Sequence, residues 1–340
     1  MAKENYYELL QVHPRANAEV MHAAYKALLK LRDPNRPENK SYAQQINKAY
    51  HTIARPDLRE QYDRSLFSQD GGEVFGSFRK LEQIAEGAFG RTFKGEHITL
   101  GEQVCIKDCF NVRPEYYPML EDEARAMWEL RHYEIPAIHD LVKSTNGSPV
   151  LIMSYVPGPT LEQVVEKTGP LDPDSLCWIT DRVLNSLMFI HYKNVIHGDL
   201  KPQNIIVQPD QHTISIVDFG LSLLKPHAGT SSKGYTPIFA PPEEIAMSTL
   251  LPQSDFYSLG MTMIYALVGG DLHSTKAKEV PHGTPEPLCK FIRKLIVRDM
   301  MARPHWSKIN LCEEIRKVRI ESFGHAHSGM KPIPGLETFL

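Results

Sequence analysis

Two short segments constrain this chain more than any others. They are His197-Gly198-Asp199-Leu200-Lys201-Pro202-Gln203-Asn204 and, nineteen residues after its aspartate, Val217-Asp218-Phe219-Gly220. The first offers a carboxylate, an ammonium and an amide within one turn of chain, and the second a carboxylate followed by glycine. Ile205-Ile206-Val207 follows the first segment, and Ile214 with Ile216-Val217 leads into the second, with a polar turn from Gln208 to Thr213 between them. Two β-branched runs joined in this way predict a hairpin. That hairpin brings Asn204 and Asp218 together beside Asp199. Carboxylates and an amide converging on one point can bind a hard cation such as Mg²⁺ and leave one carboxylate free as a base. Phosphoryl transfer needs that set of groups. Read alone, Asp199 could equally be a capping aspartate in a turn.

The chain has 340 residues, 42% of them hydrophobic and 23% charged, enough for a sizeable core and more than one domain. A net charge of -3 does not point to nucleic acid as a partner. The charge is split, with a basic excess in residues 1–66 and an acidic excess in the remainder. Weak docking of the two parts and two independently solvated surfaces are both compatible with that split. No apolar run approaches a membrane span, and MAKENYYELL lacks the apolar core of a signal peptide. The five cysteines, Cys105, Cys109, Cys177, Cys289 and Cys312, are odd in number and include no CxxC pair. They indicate neither a zinc site nor a disulfide framework. A reduced, cytoplasmic compartment is the expectation.

The N-terminal part reads as a small helical bundle. Asn17 can cap a helix from Ala18 to about Lys30, with Val20, Ala23, Ala24, Ala27, Leu28 and Leu31 at helical spacing. Asp33-Pro34-Asn35-Arg36-Pro37 breaks it. A second helix from Tyr42 to about Ala54 places Ile46, Ala49, Tyr50 and Ile53 on one face, and a short basic helix begins at Asp57. Through Tyr6-Tyr7-Glu8-Leu9-Leu10, Ala24-Tyr25-Lys26, Ile46-Asn47-Lys48-Ala49-Tyr50 and Asp57-Leu58-Arg59-Glu60-Gln61-Tyr62-Asp63, residues 4–66 resemble a J-domain. The family carries His-Pro-Asp between the two long helices, and stimulation of seventy-kilodalton chaperone ATPases depends on it. This chain has Asp33-Pro34-Asn35 there. The resemblance therefore implies a degenerate J-domain, residues 1–67, that docks a protein partner, a chaperone among the candidates, or the rest of the chain. Residues 68–77, polar and glycine-containing, read as a linker.

Downstream, Leu81-Glu82-Gln83-Ile84 alternates as a strand. Ala85-Glu86-Gly87-Ala88-Phe89-Gly90 and a second strand follow. A glycine turn between strands lets backbone amides approach phosphate, although glycine-containing hairpins are common. Val104-Cys105-Ile106-Lys107 then places a lysine in an apolar strand. A partner is available in a helix from Leu120 to His132, where Glu121, Asp122 and Glu123 are candidates. Glu123 shares the register of Met127 and Leu130.

A glycine loop, a strand lysine, a helix glutamate, HGDLKPQN and DFG, in that order, resemble a bacterial-type serine/threonine protein kinase over Phe78 to Val318. The resemblance implies an α+β, bilobal fold: a small β-rich N-lobe (78–156), a larger helical C-lobe (157–318) and a tail (319–340). It implies ATP and Mg²⁺ as cofactors and a protein substrate. Gly87 and Gly90 would cover the phosphates, with Ala85 at the family's first glycine. Lys107 would hold the α- and β-phosphates and pair with Glu123. Met153 would gate the adenine pocket, with Tyr155 in the hinge. Asp199 would be the base, Lys201 would stabilise the transferring phosphoryl group, and Asn204 and Asp218 would hold Mg²⁺. Gly198 stands where the family has an arginine that pairs with a phosphorylated activation loop. Activity should then depend less on phosphorylation of that loop, where Thr230, Ser231 and Ser232 are the expected sites. Glu243 of Ala240-Pro241-Pro242-Glu243 should pair with Arg303, Thr236 should meet Asp199 and Lys201, and Asp255 should brace the catalytic backbone. A pseudokinase scaffold and a small-molecule phosphotransferase are the alternatives. The complete polar set weighs against the first, and Lys201 with the segments around Glu243 and Asp255 against the second.

Overall fold

The structure, a computed structural model, describes residues 5–13, 16–31, 39–56, 58–59, 62, 72–87, 90–145, 147–208, 211–224, 226 and 234–326, without the side chains at 41, 119, 123 and 126. The chain divides into two compact units, one of residues 1–85 and 93–103 and the other of 86–92 and 104–340.

The first unit opens with three helices, α1 (Tyr6–Leu9), α2 (Ala18–Leu31) and α3 (Lys40–Ile53). Asn5 caps α1, and Asn17 Oδ1 accepts from Val20 N at 2.9 Å, as the sequence predicts for α2. Tyr25 donates to Asn47 and His22 meets Tyr50, so α2 and α3 run antiparallel. Tyr7, Leu10, Met21, Leu28, Ile46, Ala49, Ile53 and Tyr62 form the core. Val20 and Leu31, two of the apolar positions at helical spacing, are exposed at 51% and 79%. Met21 and Leu28, two turns apart on one side of the helix, are its buried positions. The turn at Asp33-Pro34-Asn35 and most of the basic helix from Asp57 lie outside the described residues.

Strands β1 (Val74–Phe75), β2 (Phe78–Gly87) and β3 (Gly90–His97) follow. β1 pairs antiparallel with β2, Phe75 opposite Phe78. The expected linker therefore gives way to ordered sheet before Phe78. Lys80 explains why: its ammonium meets Glu73 at 2.8 Å and lies 4.9 Å and 4.2 Å from the rings of Phe75 and Phe93. One cation thus ties three segments by charge and cation–π attraction.

In the second unit, β4 (Gln103–Asp108), β6 (Pro149–Ser154) and β5 (Ile138–Lys143) form consecutive antiparallel neighbours with β6 central. Helix α4 (Tyr117–Trp128) packs against β5 and β6. Then come α5 (Leu161–Thr168), α6 (Pro173–Tyr192), β7 (Val195–Ile196), the hairpin β8 (Ile205–Gln208) and β9 (Thr213–Ile216), and β10 (Leu223–Leu224). Helices α7 (Pro242–Ile245), α8 (Pro252–Leu267), α9 (Leu272–Ala277), α10 (Glu286–Leu295) and α11 (Leu311–Phe323) complete it.

Every residue of α8 from Gln253 to Leu267 is buried, so this helix is the axis of the helical core. α6 packs on α8 and α11 and presents Val183, Leu187 and Ile190 to the same core. The expected tail at 319 is still helix to Phe323. Arg319 is buried, and its Nε donates to Asp174 at 2.6 Å, so the fold continues past the expected boundary. Among the described residues no helix is long and apolar enough to cross a membrane.

Candidate active site

The hairpin is the frame of the site. β8 and β9 pair antiparallel with Ile205 opposite Ile216, and Val217 N donates to Asn204 O at 2.9 Å. Their inward residues Ile205, Val207, Ile214 and Ile216 are fully buried. The end of the hairpin that carries Asn204 and Asp218 is thereby fixed to the core.

Asp199, Lys201, Asn204 and Thr236 form one hydrogen-bonded cluster. Asp199 Oδ1 accepts from Thr236 Oγ1 at 2.6 Å, and Oδ2 accepts from Lys201 Nζ at 2.6 Å. Lys201 Nζ also donates to Thr236 Oγ1 at 2.9 Å. Asn204 Nδ2 donates to the Asp199 carbonyl at 2.8 Å, which leaves its Oδ1 as the atom available to a cation. An aspartate with a lysine beside it, oriented by a hydroxyl and an amide, can accept a proton while the lysine stabilises developing negative charge.

Lys107 lies on the β4 face opposite the buried Val104 and Ile106. Its ammonium donates to Asp218 Oδ1 at 2.8 Å. That ammonium pulls the Asp218 carboxyl down to about 2. Asp218 keeps 43% of its side chain open and has a positive φ of 63°. Aspartate is one of the few non-glycine residues that adopt this left-handed region readily. Phe219, next to it, is fully buried against the His197 ring at 4.8 Å and anchors the segment. The Glu123 side chain, the expected partner of Lys107, lies outside the described residues.

Cys105 shares the Lys107 face, but burial pushes its thiol up to about 12, so it stays protonated. Met153 pairs with Cys105 across the sheet and is buried, and Tyr155 just beyond it is half-buried. Gly87 has open space where a Cβ would sit. At Gly90 a Cβ would lie 2.0 Å from the Asp108 carbonyl, so only glycine lets the backbone at residue 90 pass Asp108. Ala88 and Phe89, like Thr230, Ser231 and Ser232, lie outside the described residues.

Beneath the cluster Asp255, fully buried on α8, accepts from His197 N and Gly198 N, both at 2.9 Å, and from His191 Nε2 at 2.7 Å. Burial alone would raise its carboxyl; the hydrogen bond from His191 and the Gly198 amide bring it below the usual range. Trp306 Nε1 donates to His191 Nδ1 at 2.9 Å, which leaves the His191 proton on Nε2, aimed at Asp255. Asp255 is legible in the sequence; its link through His191 to Trp306 is not. Trp306, three residues after Arg303, carried no local signal for a partner more than a hundred residues away. Arg303 makes the expected pair, NH1 and NH2 reaching Glu243 at 2.6 Å and 2.9 Å.

Residues 78–315 match the protein kinase domain family, and residues 5–63 match the DnaJ domain family. The chain belongs to the protein kinase family. It is 30% identical over 223 residues to a probable serine/threonine-protein kinase of Dictyostelium discoideum, covering 64% of this chain and 42% of that protein. It is 29% identical over 253 residues to serine/threonine-protein kinase PknA of Mycobacterium tuberculosis, covering 69% and 58%. It is 29% identical over 208 residues to a probable serine/threonine-protein kinase PknB of Lactococcus lactis, covering 58% and 32%. The chain thus spans from about a third to somewhat over half of these relatives' lengths.

Proposed function

We propose that this chain transfers the γ-phosphoryl group of ATP to serine or threonine hydroxyls of a protein substrate. The Asp199–Lys201–Thr236 cluster carries the reading, because it places a base, a cation and an orienting hydroxyl within 2.9 Å of one another. Asp199 accepts or orients the proton of the attacking hydroxyl. Lys201 holds the transferring group from the side of the base, and Lys107 holds the nucleotide phosphates. Asn204 Oδ1 and the open, low-titrating carboxylate of Asp218 suit Mg²⁺, a hard cation that takes oxygen donors. Bound there, Mg²⁺ would offset the negative charge of the nucleotide phosphates. Gly87 and Gly90 border the phosphate loop, and Met153 with Tyr155 forms the adenine edge.

Residues 1–67 serve in this reading as a protein-docking module. Asp33-Pro34-Asn35 leaves it without the tripeptide that drives chaperone ATPases.

Radiolabelled ATP with the full chain tests the reaction. Transfer to the chain itself or to a generic protein is expected. It should fall at least a hundredfold in Asp199→Ala and Lys107→Ala while the fold is retained. Nucleotide binding without any transfer by the wild-type chain would refute it. The full chain added to a seventy-kilodalton chaperone should leave the ATPase rate unchanged, and clear stimulation would overturn the docking assignment.

A further inference from the structure

Glu134 has no solvent-accessible surface, yet no step of the proposed reaction uses it. It lies in the turn between α4 and β5, in Tyr133-Glu134-Ile135-Pro136. Its Oε2 accepts from Ser186 Oγ on α6 at 2.5 Å, and its Oε1 accepts from Thr213 Oγ1, the first residue of β9, at 3.4 Å. Its backbone carbonyl accepts from Ile216 N, the last residue of β9, at 2.9 Å. Burial raises its carboxyl above the usual range. His132 does not supply a counter-charge: its Nδ1 accepts from Glu134 N at 3.3 Å, and burial lowers its pKa. Tyr133 also hydrogen-bonds Glu134, and the Arg182 charge, which reaches the Tyr133 hydroxyl at 3.3 Å, partly offsets the effect of burial. A buried carboxylate compensated mainly by hydroxyls is unfavourable, and an apolar residue of similar volume would fill the space at less expense.

Glu134 grips β9 at both ends, by its side chain at Thr213 and by its backbone at Ile216. Beyond Ile216 come Val217, whose amide holds the Asn204 carbonyl, and then Asp218. At the turn of the hairpin Trp178 of α6 packs on His212 with ring centroids 4.4 Å apart. Helix α6 thus holds the turn from one side and, through Ser186 and Glu134, the strand from the other.

We propose that Glu134 is a positioning residue for the cation-binding pair, fixing β9 on α6 so that Asp218 and Asn204 stay in register. This rests on the kinase reading of the site. An acceptor at this point is needed because Ser186 and Thr213 both present hydroxyl donors to it. Its effect should appear in Mg²⁺-dependent nucleotide binding rather than in protein-substrate recognition.

The test is calorimetric ATP binding by the full chain at graded Mg²⁺, alongside steady-state phosphotransfer. Glu134→Ala is expected to raise the Mg²⁺ concentration for half-maximal ATP binding at least fivefold. It should also lower kcat about tenfold and leave the protein-substrate KM within twofold. Glu134→Gln, which keeps one acceptor oxygen, should recover at least half of the binding loss. Ser186→Ala, a milder change, should raise the Mg²⁺ requirement at least twofold and keeps the test open if Glu134→Ala does not fold. An unchanged Mg²⁺ requirement in Ser186→Ala, or in a folded Glu134→Ala, would overturn the proposal. So would a loss of ATP binding that is equal with and without Mg²⁺. A wild-type chain that binds Mg²⁺ and ATP without transfer refutes the reaction but leaves this binding comparison decisive; one that binds no nucleotide overturns both.

Discussion

Asp255→Asn removes one oxygen from the brace under the catalytic segment. In the native site Oδ1 accepts from Gly198 N at 2.9 Å, while Oδ2 accepts from His197 N at 2.9 Å and His191 Nε2 at 2.7 Å. An asparagine will keep its oxygen at the Oδ2 position, where two donors converge, and turn its amide toward Gly198 N. One hydrogen bond to a charged acceptor is lost, worth about 1.5–3 kcal/mol, and a buried N–H is left facing another donor, worth about 1–3 kcal/mol more. The side chain is 1% exposed, so water cannot repair the contact. A total near 4 kcal/mol should lower Tm by about 8–16 °C, at roughly 2–4 °C per kcal/mol for a domain of this size. The Gly198 peptide immediately precedes Asp199, so kcat should fall at least tenfold. Differential scanning calorimetry and steady-state phosphotransfer measure the two effects. The pH dependence has a definite sign. The folded-state value of Asp255 lies below the ordinary 3.8, so its stabilisation is present above 3.8 and is lost as pH falls through the folded value. The gap in stability between wild type and variant should therefore narrow below about pH 3.8. A variant with Tm within 3 °C and kcat within twofold of wild type would refute the brace.

Arg303→Ala leaves the partly buried Glu243 carboxylate beside a vacated guanidinium site, and breaking the pair should cost about 3 kcal/mol, read as a lower midpoint in urea unfolding. Gly198 has φ +74°, and a Cβ there would meet the Leu221 carbonyl at 2.9 Å. Gly198→Ala should therefore cost about 1–2 kcal/mol for the left-handed backbone alone, visible in the same unfolding experiment, together with reduced kcat. Trp306→Phe removes the donor to His191 Nδ1 and should cost about 1 kcal/mol, with a smaller Tm shift than Asp255→Asn and in the same direction.

What could be read from the sequence was local. The β8–β9 hairpin is written in two β-branched runs, and Asp199, Lys201, Asn204 and Asp218 lie on or beside it, so their convergence follows from period and turn alone. Glu243 and Arg303 were paired only through resemblance, since sixty residues separate them and neither lies in a periodic pattern that names the other. Glu134 was invisible for the same reason. Its hydroxyl partners lie 52 and 79 residues away, and a glutamate in a turn before Ile-Pro looks like any solvated one. Val20 and Leu31 were misplaced because an alanine-rich helix offers more than one plausible stripe, and packing against α3 rather than periodicity decides which is buried.

Gly198 shows the difference between the two kinds of reading most clearly. In the sequence it is defined by what it lacks, an arginine that would sense a phosphorylated loop. In the structure a positive φ, a 2.9 Å approach to the Leu221 carbonyl and an amide held by Asp255 make glycine the residue that this backbone accepts without strain. The loss of the arginine and the geometry of the segment are therefore one feature. Restoring arginine would strain the backbone beside Asp199 before it could create any dependence on the loop, so Gly198→Arg should lower kcat together with stability.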